Sequence, residues 1–143
     1  MRAPPPALAA LALLACLPYP RLHPRAAEEL RRGYARLEEG DLERAEVAFT
    51  HALEFHPDLP EAWNGAGIVA HRRGEPARAR DRFARALRRG RDFAEAHVNL
   101  GALALEEGRF AEAEAHEREA LAIDPDLVVA RLDLARALLR RGQ

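Results

Sequence analysis

The chain has 143 residues, of which 48% are hydrophobic and 31% charged, and its formal net charge is −1 at pH 7. This is enough for one small domain with a core and too apolar for a disordered chain. It is also too close to neutral for an overall field that draws nucleic acid or an anionic membrane surface.

The single cysteine, Cys16, excludes an internal disulfide and a paired-cysteine metal site. Aromatic residues make up 6% of the chain, so Ala and Leu must do most of the packing. That favours closely packed helices, because Ala has the best helix propensity and lets helix axes approach. All 22 basic residues are Arg, which reads as codon preference more readily than as a recognition signal.

The first 24 residues, MRAPPPALAALALLACLPYPRLHP, stand apart. One Arg and a Pro run precede an apolar stretch at 7–17. A membrane-spanning helix needs roughly 20 apolar residues, so this stretch has instead the length of a signal-peptide core. It ends in Leu13-Leu14-Ala15-Cys16, which resembles a bacterial lipobox. A thioether-linked lipid requires a thiol, and this is the chain's one thiol. The resemblance implies a signal peptide over 1–15, lipidation at Cys16, a Pro-rich tether over 16–24, and an exported lipoprotein of the periplasm or cell envelope. Two other readings stay open: a different export signal or uncleaved short anchor, with Cys16 an ordinary apolar residue of its core, and a mispredicted start or cytoplasmic tail.

From residue 25 onward, apolar residues recur at helical spacing, as in Ala45, Phe49, Ala52 and Leu53. Seven helices are expected, over 25–39, 42–55, 60–73, 76–89, 93–107, 110–122 and 126–141. Gly40, Gly74 and Gly108 fall just past first, third and fifth helices, where a C-cap needs positive φ. Pro76 falls at a first helical position, where its missing N–H is harmless. Pro57 and Pro125 fall where a helix should stop.

These landmarks repeat. Gly40, Gly74, Gly108 and Gly142 are each 34 residues apart, as are Ala45, Ala79 and Ala113. Ala52, Ala86 and Ala120 share the interval, and so do Gly33, Gly67, Gly101 and Ala135. That is the period of a helix–turn–helix unit, which buries its apolar face only against its neighbours. The small residues let the two helices of a unit approach, with Phe49 and Phe83 filling the space beside them. The third unit has Glu117 at that place, so its packing there must come from elsewhere.

The set Trp63, Ala66-Gly67, Ala79, Phe83 and Ala86 resembles the tetratricopeptide repeat. It returns as Leu100-Gly101, Ala113, Ala120 and Pro125, and as Gly33, Ala45, Phe49, Ala52 and Pro57. Arg32 and Arg91 depart from the pattern. The resemblance implies an all-α fold, a right-handed α-solenoid over 25–143. Its repeats would span about 26–59, 60–93 and 94–127, with a capping helix over 128–141.

By the same resemblance, first helices line a concave groove that docks a peptide or protein partner. The groove positions are Leu30, Tyr34 and Leu37, then Asn64, Ile68 and His71, then Val98, Ala102 and Leu105. Glu38, Arg72, Glu106, Arg136 and Leu139 lie beside them. This surface is apolar, which suits an amphipathic helix or an extended apolar segment. Alternatively, tight curvature or the N-terminal segment covers it. Some repeats of this type clamp a C-terminal carboxylate with Lys and Asn. The matching places here hold Leu30, Tyr34, Gly65, Glu95 and Asn99, of which only Asn99 suits, so that mode is rejected.

Nothing points to catalysis, a cofactor or a metal. His23, His51, His56, His71, His97 and His116 are scattered without a ligand motif, and the chain has no Ser. The basic run at 78–91 reads as a solvated face. The implied function is a non-catalytic adaptor, exported and lipid-anchored, similar to pilotin-like or envelope-assembly factors. The competing readings are a cytoplasmic regulatory module, and a self-associating scaffold that pairs through the last helix.

Overall fold

The computed structural model describes residues 23–90 and 92–142. The expected signal peptide, Cys16 and nearly all of the tether lie outside the described residues. Within them there are seven helices and no strand. They are α1 (Pro24–Glu38), α2 (Leu42–Phe55), α3 (Pro60–Arg72), α4 (Pro76–Arg89), α5 (Ala94–Glu106), α6 (Phe110–Ile123) and α7 (Val128–Arg140). Each starts and ends within two residues of its expected span.

The punctuation of the sequence accounts for these limits. Pro24, Pro60 and Pro76 open helices at the first turn, where no backbone donor is needed. Gly40, Gly74 and Gly108 have φ of 78°, 75° and 73°, a region open to Gly without steric penalty. Each closes a helix in the same way. Gly40 N–H donates to the Leu37 carbonyl at 3.1 Å and Asp41 N–H to that of Arg36 at 2.9 Å. Gly74 and Glu75, and Gly108 and Arg109, repeat this paired closure. Asp41 then turns round to cap α2, its carboxylate accepting from Arg44 N–H at 3.0 Å.

The helices pair as α1–α2, α3–α4 and α5–α6, and α7 packs on α6 and α5. The first helices also touch in a row, α1 to α3, α3 to α5 and α5 to α7. The array is therefore a helical solenoid.

One contact recurs at the heart of each unit. The fully buried Phe49 ring lies where Cβ atoms on Gly33 and Gly65 would be, 2.5 and 2.4 Å from their ideal positions. It is gripped between α1 and α3. The Phe83 ring lies 2.5 Å from the ideal Cβ of Gly67. In the third unit Glu117 takes the ring's place, its carboxylate pressed onto Gly101. The expectation that packing there comes from elsewhere is corrected: Glu117 itself fills the slot and is 0% exposed. Neither of its carboxylate oxygens has a hydrogen-bond partner. Burial, helped by the nearby Asp133 on α7, pushes its pKa up to about 8.

The basic run also differs from the solvated face expected of it. Arg82 donates to the Ala66 carbonyl at 2.8 Å and to Glu46 of the preceding unit at 2.5 Å. Arg73 and Arg78 join the same carboxylate, at 3.3 and 3.4 Å. Arg80 reaches forward to Glu107, at 2.5 Å, and to Glu112. The second unit is thus tied by ion pairs to both neighbours.

Glu117→Phe restores the ring series and removes two unpaired buried oxygens, which cost about 1–3 kcal/mol per group. The variant should be more stable by about 2 kcal/mol in urea unfolding. The raised pKa also sets a pH dependence. The stability from neutral Glu117 is complete below the ordinary value of 4.5 and is lost as pH rises towards about 8. The stability difference between Glu117→Gln and the native chain should therefore grow over that window. A difference that stays constant with pH would contradict it.

Candidate functional site

The first helices leave a concave groove of about 500 Å³ along their row. Leu30 and Tyr34 enter it from α1, Ile68 and Asn64 from α3, and Val98 from α5. Five of the expected positions thus share one cavity. The structure adds Glu61, Glu95, Asn99, Leu127 and Val129, which the expected set lacked. Glu61 and Glu95 sit one helical turn before Asn64 and Val98, so extending the same stripe by a turn would have found them.

The remaining expected positions are elsewhere. Leu37 is 4% exposed and packs with Ala45, Phe49 and Val69, so it belongs to the core and offers a partner no surface. Ala102 and Leu105 line a second cavity of about 560 Å³ near α7, with Glu106, Asp133, Arg136 and Arg140. His71 lines neither cavity. Its Nε2 lies 2.7 Å from Glu106 Oε2 in the next unit.

The groove floor is held by a small polar network. The Tyr34 hydroxyl donates to the Glu61 carbonyl at 3.0 Å, and its ring meets Phe49 edge-on at 5.1 Å. Burial raises the Tyr34 pKa above its usual value; the Asn64 side chain opposes this, and Glu95 and Glu61 reinforce it. Tyr34 is therefore a neutral donor at any ordinary pH. Asn99 Nδ2 donates to Asn64 Oδ1 at 2.8 Å, linking α5 to α3. Asn64 is 2% exposed, and this bond satisfies a group that would otherwise be costly to bury.

Among the described residues, no Ser, Thr, Cys, Lys or His lines the groove. Thr50, the only Thr of a chain without Ser, donates its hydroxyl to the Glu46 carbonyl at 2.8 Å on α2. His97 and His116 do meet, Nδ1 to Nδ1 at 3.1 Å, across α5 and α6. Burial lowers the pKa of both, so each favours the neutral form. No group of three or more potential metal ligands occurs among the described residues. None of the described helices is long and apolar enough to cross a membrane.

A sequence model of the tetratricopeptide repeat matches residues 30–81 and 72–128, most of the array. The chain belongs to the tetratricopeptide repeat family. Solved structures with this fold cover about four fifths of it. The first repeat domain of Spaghetti (RPAP3), bound to the HSP90 peptide SRMEEVD, has a TM-score of 0.79 at 18% identity. That match covers 83% of this chain and 97% of the other. The TPR2B domain of yeast Sti1, in complex with pHsp70, has a TM-score of 0.74 at 16% identity, covering 82% and 98%. Pseudomonas aeruginosa pilF has a TM-score of 0.77 at 24% identity, over 82% of this chain and 54% of that one. No curated protein sequence matches.

Proposed function

We propose that this repeat array is a non-catalytic adaptor that docks a peptide or protein segment in its concave groove. The observation that carries this is the groove itself: an apolar floor of Leu30, Ile68, Val98 and Val129 with a few fixed polar groups, the usual make-up of a recognition cleft. A domain of the same fold is bound to a short peptide in the structure of Spaghetti, and another is in complex with pHsp70 in that of Sti1. Exported attachment to the envelope through Cys16 is part of the proposal and rests on the lipobox-like residues 13–16.

Two results test it. Val98→Asn with Val129→Asn exchanges two apolar contacts for neutral polar ones, at about 1.5–3 kcal/mol for each buried side chain. Capture of a partner from the native host should fall at least about tenfold, with the melting transition unchanged. Undiminished capture would place the docking surface elsewhere. Mass spectrometry of the N-terminal peptide from the host's membrane fraction should show a lipidated Cys16. An intact Met1 in the soluble fraction would instead establish the cytoplasmic reading.

A further inference from the structure

The groove carries charge of one sign. Glu61 and Glu95 both line it, from matching positions on the adjacent helices α3 and α5, and among the described residues no basic one lines it. Elsewhere the chain neutralises its crowded acids. Glu46 is met by Arg73, Arg78 and Arg82, and Glu107 by Arg80 and Arg109. Among the described residues, Glu61 and Glu95 have no such ion pair. Glu61 Oε2 is also buried without a hydrogen-bond partner. Two carboxylates without counter-ions leave the groove negative, and a cation entering it would neutralise that charge.

The apolar residues flank this acidic pair on both sides along the row of helices. Leu30 lies on α1, Ile68 on α3, and Val98 on α5 beside Leu127 and Val129 at the start of α7. We propose that the groove selects a basic apolar segment, with one Arg or Lys side chain seated between Glu61 and Glu95 and apolar residues packed on either side. This rests on the docking reading above and adds the sign of the partner's charge. Adjacent packed helices stand about 8–10 Å apart, so one guanidinium, with its fork of donors, can serve both carboxylates. The same pair of acids repels an acidic segment or a free C-terminal carboxylate.

The test uses the full chain and three end-capped, fluorescein-labelled peptides: Gly-Leu-Leu-Arg-Leu-Leu-Gly and its versions with Gln or Glu in place of Arg. Fluorescence polarisation at low salt should rank them Arg, then Gln, then Glu, with about a tenfold step from Arg to Gln. In Glu61→Gln/Glu95→Gln the three should bind alike, at the level the Gln peptide shows on the native chain. Equal binding of all three to the native chain, or preference for the Glu peptide, overturns the charge inference and leaves the docking reading standing. Failure of every peptide to bind overturns both. So does an Arg-peptide affinity that Val98→Asn/Val129→Asn leaves unchanged, because binding would then lie outside the groove.

Discussion

The array depends on a side chain laid flat on a glycine. A phenyl ring lies in the space that a Cβ on the facing helix would occupy, so glycine there sets how closely the two helices pack, and protein interiors leave few gaps. Phe49 makes the contact on both sides, to Gly33 within its own unit and to Gly65 in the next. It therefore fixes the hairpin and the stacking of one hairpin on another. Gly in a helix is unfavourable by about 1 kcal/mol relative to Ala, so its recurrence at 33, 67 and 101 has to be compensated by this packing. The third unit shows the contact under strain of chemistry: Glu117 keeps the geometry and loses the satisfaction of its oxygens.

The groove follows from that spacing. Because the first helices are drawn into a row, their side chains at 30, 34, 64, 68 and 98 converge on one cavity. The second helices face away and carry the arginine–glutamate ties that join one unit to the next. The two surfaces thus divide the work. Ion pairs on one side hold the units in register, and on the other lies an apolar, acidic cleft, the proposed docking surface. The Spaghetti (RPAP3) domain of this fold is bound to the peptide SRMEEVD, whereas the groove of this chain presents Glu61 and Glu95. One architecture can serve different ligands, because fold and ligand are set by different residues.

The helices were legible because their limits are written in Gly and Pro. Gly40, Gly74 and Gly108 adopt the positive φ that their positions require, and every helix falls within two residues of its expected span. The groove was half legible. Tyr34, Ile68 and Val98 follow from the resemblance to the repeat family, but Leu37, on the same stripe, packs with Phe49 and Val69 in the core. Periodicity gives the face of a helix and not how deep each turn sinks beneath its neighbour. Glu117 was misjudged because a carboxylate in an aromatic slot contradicts the usual rule that buried acids are paired. The contact of His97 with His116 and the ties made by Arg80 and Arg82 join residues 16 or more positions apart. Such pairs are fixed by the stacking of units and have no local signature.

The most direct test of this account is the unfolding free energy of Gly67→Ala, measured in urea against the native chain. Helix propensity alone predicts a gain of about 1 kcal/mol. The ring on Gly67 predicts the opposite sign: a Cβ there would lie 2.5 Å from Phe83, and overpacking of that kind costs about 1–3 kcal/mol. A clear loss of stability, relieved when Phe83 is also replaced by Leu, is the expected result. A variant as stable as the native chain, or more so, would contradict the claim that ring-on-glycine contact sets the spacing of the helices.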